Sequence, residues 1–253
     1  MLSVCFVPGR NDNELTLSRM PLYPDDPNIA LIASLIADPA RSAMLWALSD
    51  GRALAAGELS RLAHIAPATA SAHLAKLVSA DLLRVQRSGR HRYYSIAGPE
   101  VVRALETLAT LDRTSVAGER QRGHSALRLA RTCYDHLAGS AGVRITEALV
   151  AQSYMIEADA GYDVTTIGER WFSVIGISVP DGRKHAMATR RHFTIACLDW
   201  SERRHHLAGK LGALLCVRAL ELAWFERRPG TRALRITSIG RRALRREFGL
   251  VLF

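Results

Sequence analysis

The sequence predicts a mainly α-helical fold with small β-hairpin wings: a winged helix-turn-helix domain followed by a C-terminal domain of two degenerate winged-helix-like repeats. Three observations carry this reading. Apolar residues recur at helical spacing through most of the chain, short alternating segments flank glycine-containing turns, and a stretch beginning at Cys133 is written a second time from Cys197.

Taken in order, residues 1–26 show little periodicity and contain PLYPDDP, which suits a flexible lead. Residues 27–113 form the first expected domain, 114–125 a polar linker with two glycines, and 126–253 the second domain, with repeat units at about 130–177 and 194–250. Within the first domain, GELSRLAHI from Gly57 sets Leu59, Leu62 and Ala63 on one helical face and Glu58, Arg61 and His64 toward water. Ala66-Pro67 ends that helix. Proline is tolerated in the first turn of a new helix, where its missing N–H is no loss, and Pro67–Leu83 then repeats apolar residues at Ala70, Leu74, Leu77, Val78 and Leu82. The opposite face carries Thr69, Ser71, Ala72, His73 and Lys76, short side chains and one cation that let a helix lie deep in the major groove of duplex DNA. Next, Leu83–Arg87 and Arg92–Ile96 alternate as strands around Ser88-Gly89-Arg90-His91. This hairpin holds Arg84, Arg87, Arg90 and Arg92 with no acid among them, and with Ser88 and His91 at its turn it suits a phosphate backbone.

These residues carry a resemblance. The string DPARSAMLWAL…GELSRLAHIAPATASAHLAKLVSADLLRVQRSGRHRYYSI resembles the winged-helix core of the ArsR/SmtB family of bacterial transcriptional repressors over roughly residues 27–113. T-x-S-x-H-L-x-x-L, the following leucine pair and G-R-x-x-Y-Y occur in order. The resemblance implies a homodimer that occupies a double-stranded operator and releases it when a small effector, not identifiable from these residues, binds. It also implies that the helix before the motif (Asn28–Leu48) and the helix after the wing (Pro99–Leu111) form the dimer interface. Metal-sensing members carry cysteines at the start of the first motif helix, or His and Asp ligands on the last helix. GELSRLAH has no Cys and EVVRALETLATLD has no His, so neither arrangement is present.

Composition agrees with an intracellular regulator, and a cytoplasmic location with no membrane partner is expected. No apolar run reaches membrane-spanning length, and MLSVCFV lacks the charged lead-in of a signal peptide. Four widely spaced cysteines, Cys5, Cys133, Cys197 and Cys216, read as reduced thiols. The formal net charge is +10 in 253 residues, and it is uneven: 57–96 hold six Lys and Arg against two acids, and 226–247 hold eight Arg against two Glu. Such patches attract polyanions. The second one, around Arg227, Arg228, Arg232 and Arg235, reads either as a further DNA contact or as a solvated face.

The two copies of the repeat share C-x-D, then HLAG, then a glycine three residues on, and finally a Thr-x-x-Gly-like helix start after a hairpin, so each is expected to run helix, helix, hairpin, helix. Gly139 to Gly168 spans 29 positions and Gly209 to Gly240 spans 31. The copies differ in charge: Glu157–Asp163 is acidic and Glu226–Arg232 basic. Cys133, Asp135, His136, Cys197, Asp199 and His206 are the candidate effector residues, because a thiolate binds thiophilic metals or metalloids and imidazole shares the ligand load. If the copies meet about a pseudo-twofold axis, their C-x-D segments converge. The plainer reading is that the cysteines fill a repeated core position and that each Asp caps the helix opening at HLAG. Trp171, Phe172, Trp200, Trp224 and Phe225 read equally as core or as the lining of an apolar ligand pocket. Two other functions stay open, a thiol-dependent enzyme and a non-sensing architectural DNA-binding protein. The sequence has no nucleophile elbow, P-loop or dinucleotide fingerprint to support the enzyme.

Overall fold

A computed structural model describes residues 27–89, 91–112, 126–159, 161–180 and 192–252. Arg90, the 1–26 lead and the 114–125 linker therefore lie outside the described residues. The described residues open with α1 (Ile29–Ala37) and α2 (Pro39–Ala47), where a single helix over Asn28–Leu48 was expected. The break has a local cause: Asp38 accepts the Arg41 amide as N-cap and Pro39 cannot continue the preceding hydrogen-bond ladder, so the axes turn by 89°. A short strand β1 (Leu54–Ala55) leads into α3 (Ala56–Leu62), α4 (Pro67–Ser79) and the hairpin β2 (Leu83–Ser88) with β3 (His91–Ile96). The three strands form an antiparallel sheet in the order β1-β3-β2, and α5 (Pro99–Ala109) follows. This is a winged helix-turn-helix, as expected.

The core of this part comprises Met44, Leu45, Leu48, Leu59, Ala70, Leu74, Leu77, Leu83, Tyr94, Ile96, Val102 and Leu105. The apolar face expected on α4 is therefore the one buried. On α3 the expectation fails at one position: Leu62 is exposed and Ser60 is buried, its hydroxyl donating to the Ile65 carbonyl. That bond satisfies the hydroxyl and closes the turn between the two motif helices.

In the C-terminal half a one-turn helix, α6 (Ala126–Leu129), precedes two copies of one unit. The first runs β4 (Arg131–Cys133), β5 (His136–Ala138), α7 (Gly139–Ala151), β6 (Met155–Ala158), β7 (Gly161–Val164) and α8 (Thr166–Val174). The second runs β8 (Ile195–Leu198), β9 (His205–Ala208), α9 (Gly209–Glu221), β10 (Phe225–Arg227), β11 (Leu234–Ile236) and α10 (Ser238–Phe248). Each unit is hairpin, helix, hairpin, helix. The expected first helix is a hairpin instead, with Cys133 paired to His136 and Cys197 to His206 across it. A three-residue strand is too short to display a period, which is why C-x-D…HLA reads ambiguously in sequence. The Thr-x-x-Gly signature proves to be a helix start: the Thr165 and Thr237 hydroxyls accept the Gly168 and Gly240 amides at 3.0 and 2.9 Å. Glycine is required there, because a methyl group on Gly168 or Gly240 would lie 1.9 or 2.0 Å from the carbonyl oxygen of Tyr154 or Trp224.

Trp171, Phe172, Trp224 and Phe225 are buried in the shared core of the two copies, together with Leu149, Met155, Leu211, Leu215 and Phe248. They pack as core. Trp200 instead meets Trp46 of α2 edge-to-face, with ring centroids 6.3 Å apart.

Candidate nucleic-acid interface

The candidate recognition surface begins with α4, whose buried stripe of Ala70, Leu74 and Leu77 turns the opposite face outward. Thr69, Ser71, Ala72 and Lys76 are exposed on it. Ser71 donates to the Pro67 carbonyl at 2.9 Å, so its free lone pairs face water. His73 departs from the expected groove-facing role. Its ring is 16% exposed and lies against α2, with Nδ1 3.1 Å from an Arg41 guanidinium nitrogen and Nε2 3.9 Å from Asp38. Arg41 also donates to the Leu35 and Ser34 carbonyls, so one guanidinium joins α1, α2 and α4. The Arg41 amide, more than any nearby charge, holds the Asp38 carboxyl below the usual carboxylate range.

The wing presents Arg84, Arg87, Ser88, His91 and Arg92, all exposed. Arg87 stands directly opposite Arg92, and Arg84 opposite Ser95. Side chains alternate along a strand, so Arg87 and Arg92 share a face and Arg84 lies on the other. Like charges at paired positions repel, an arrangement suited to a site where an anion is laid between them.

Of the C-terminal arginines, Arg232 is removed from the surface. It is 7% exposed, its guanidinium lies 4.3 Å from the Trp46 ring centroid, and it donates to Glu106 at 2.8 Å. Arg235 pairs with Glu226. Arg227 and Arg228 remain exposed, as do Arg241, Arg242, Arg245 and Arg246 along α10.

Glu106 is the centre of a network that the sequence did not reveal. Fully buried on α5, it accepts from Arg131 of the first copy at 3.0 Å and from Arg232 of the second. Arg131 also donates to Asp199 at 3.0 Å, and all these groups are nearly or wholly inaccessible to water. Burial works against the Asp199 charge, but Arg131 and then His206 outweigh it and hold the carboxyl well below the usual range. Two carboxylates and two guanidiniums balance, so the winged helix and both repeats are joined through a neutral buried cluster.

The structure brings the candidate effector residues together. One ligand atom from each of Cys133, His136, Cys197 and His206 lies within 4.8 Å of every other, and all four residues are buried. The two imidazoles face each other through Nε2 at 3.2 Å. Each Nδ1 points to a carboxylate, His136 to Asp135 at 3.3 Å and His206 to Asp199 at 3.5 Å. Asp135 is partly exposed, so the expected symmetry of the two Asp residues is incomplete. Asp199 does cap a helix, but not its own: it accepts the Gly139 amide at 2.7 Å, at the start of the other copy's α7. Hydrogen bonding with Cys197, then burial, pushes the Cys133 thiol well up, and burial pushes His206 down, assisted by His136. Cys216 is buried in α9, its thiol pushed up to about 12 by burial. No single helix among the described residues is long and apolar enough to cross a membrane.

A helix-turn-helix domain model matches residues 36–86, from α1 to the middle of β2. YdfF of Bacillus subtilis (strain 168), described as an uncharacterized HTH-type transcriptional regulator, is 44% identical over 227 residues, which is 89% of this chain and 99% of that one. Among solved structures, NolR from Sinorhizobium fredii is 28% identical over 33% of this chain and 82% of its own, with a TM-score of 0.31. The cadmium metal-sensor CMTR from Mycobacterium tuberculosis is 27% identical over 38% of this chain and 97% of its own, with a TM-score of 0.29. The match to nearly the whole length of the Bacillus protein decides the assignment: the chain belongs to the helix-turn-helix transcriptional regulators, DNA-binding proteins rather than enzymes.

Proposed function

We propose that this protein is a homodimeric repressor of the ArsR/SmtB type, acting in the cytoplasm, which holds an operator through α4 and the β2–β3 wing and releases it when an effector acts on the C-terminal half. The observation that carries the reading is the joint exposure of Thr69, Ser71, Ala72 and Lys76 on α4 and of Arg84, Arg87, Ser88, His91 and Arg92 on the wing that follows it. Small hydroxyls on a helix and arginines on a hairpin divide the work between base edges and phosphates. His73, held by Arg41 and Asp38, sets the pitch of α4 and does not read bases. Dimerisation is supported by apolar surface left open on α1, at Ile29, Leu31 and Ile32, and at the end of α5 and just beyond it, at Leu108 and Leu111. Control from the C-terminal half is supported by Glu106, which ties the other face of α5 to both repeats.

The test is operator binding by fluorescence anisotropy on an inverted repeat and on random duplex, across a salt series. Arg87→Ala/Arg92→Ala is expected to weaken both duplexes alike and to reduce the salt slope by about two, whereas Ser71→Ala changes the ratio between them. An unchanged affinity for random duplex in the double arginine variant overturns the wing assignment.

A further inference from the structure

The thiols and imidazoles at the junction of the two repeats are buried and so lie off the exposed α4 and wing surface, yet they are the most concentrated set of soft donors among the described residues. Each β-hairpin supplies one thiol and one imidazole at directly paired positions, Cys133 with His136 and Cys197 with His206. The hairpins pack crosswise. The second copy's α9 begins against the first copy's histidine, and α7 against that of the second: a methyl group on Gly212 would lie 3.3 Å from His136 Cβ, and one on Gly142 3.7 Å from His206 Cβ. Leu207 N–H donates to Thr146 of α7 at 2.8 Å, fixing the strand that carries His206. The donors are therefore held by backbone from both copies.

We propose that Cys133, His136, Cys197 and His206 are the four ligands of a single Zn2+-class ion that staples the two repeats together, and that this ion is the effector. The second clause rests on the repressor reading above; the first does not. A tetrahedral centre with metal–sulfur bonds of about 2.3 Å and metal–nitrogen bonds of about 2.0 Å sets its ligand atoms roughly 3.3–3.8 Å apart. The 3.2 Å between the two Nε2 atoms is already such an edge, and the whole set fits within 4.8 Å, so closure needs only small side-chain movements. His136 Nδ1 is hydrogen-bonded to Asp135, the arrangement that orients a ligating ring, and His206 Nδ1, buried without a hydrogen bond, lies 3.5 Å from Asp199, which a small ring movement would engage. Charge also balances. Two thiols give up their protons to solvent, two thiolate–metal bonds and two imidazole–metal bonds form, nothing is oxidised, and the site closes neutral inside a buried environment. Two sulfur and two nitrogen donors in a closed shell favour zinc and its tetrahedral stand-ins, cobalt(II) and cadmium, over magnesium or calcium.

The ion would act on the winged helix at short range. Cys133, Ala138, Cys197 and Ala208 line the same apolar cluster as Leu45, Leu74 and Leu77, and the Tyr134 amide in the first hairpin's turn donates to the Ser49 carbonyl just after α2 at 2.7 Å. Drawing the four ligands onto one centre thus sets how both hairpins press on the helices beneath the recognition surface.

The full-length protein, reduced and stripped of metal, is titrated with cobalt(II). One equivalent per chain is expected, with the d–d bands of a tetrahedral centre and a thiolate-to-cobalt charge-transfer band, both erased by zinc. Cys133→Ser/Cys197→Ser loses the bands, and Cys216→Ser keeps them. X-ray absorption of the zinc-loaded wild type gives the ligand set without any substitution, two sulfurs and two nitrogens. A different ligand set, no stoichiometric binding, loss through Cys216→Ser, or a Cys133–Cys197 disulfide in place of the metal overturns the site. Operator binding by the stripped and loaded protein is read separately: equal affinities overturn the effector role, while no operator binding in either form overturns the repressor reading instead.

Discussion

The two C-terminal copies are alike where they face each other and unlike where they meet the winged helix. Both place Cys and His on paired strand positions, open a helix at a left-handed glycine, Gly139 and Gly209, and cap the last helix with threonine. They part at the turn between the ligands. His136 follows Cys133 by three positions, whereas His206 follows Cys197 by nine. The longer turn folds around Asp199, whose Oδ1 accepts from the Ser201 amide and hydroxyl and from the Glu202 amide. It delivers Trp200 to Trp46 and leaves the other oxygen to Arg131 and Gly139. Both copies thus carry the same donor pair and both turns reach the winged helix, the first through the Tyr134 amide and the second through Trp200, but only the longer turn also supplies a buried carboxylate to Arg131.

The largest expected consequence separates the two aspartates. Asp199→Asn leaves Arg131 buried without half of its counter-charge and should cost about 3–5 kcal/mol of unfolding free energy. Asp135→Asn, partly exposed, should cost under about 1 kcal/mol. Urea melts of the two variants decide it, and equal losses would break the proposed division of labour. Next in size is the metal. Chelation should shift operator affinity by about tenfold, a coupling typical of allosteric sites, in wild type but not in Cys133→Ser/Cys197→Ser. The threonine caps should be the symmetric control: Thr165→Ala and Thr237→Ala should each cost about 1 kcal/mol in thermal melts, and a large disparity would show that the copies differ in their interiors as well. Smallest of all is the basic hairpin tip of the second copy. Arg227→Ala/Arg228→Ala should leave the salt slope of DNA binding unchanged, and a slope reduced by about two would recruit that tip to the interface.

Legibility in the sequence followed the range of the interactions. Recognition helix, wing and repeat were readable because their signals are local: the stripe from Ala70 to Leu77, the arginines around Gly89, the doubled HLAG. The strands at Cys133 and Cys197 were not, being too short to show alternation. Glu106 reads as a solvated acid on an apolar helix until its partners 25 and 126 positions away are known. His73 likewise reads as a base-contacting side chain, and only Arg41, 32 positions earlier, turns it aside. The convergence of the candidate effector residues was foreseeable from the repeat, but the capping of the first copy's α7 by the second copy's Asp199 was not.

That borrowed cap has a consequence for synthesis. The first turn of α7 finds its capping carboxylate sixty residues further along the chain, in Asp199. While the ribosome is still making the second copy, the first can form hairpins and helical turns but has nothing to close the start of α7 or to bury its histidine. The winged helix emerges earlier and contains its own turn signals. The nascent protein should therefore pass through a stage in which α3, α4 and the wing have taken shape while α5, its Glu106 unpaired, and the first repeat wait, unfinished, for the second.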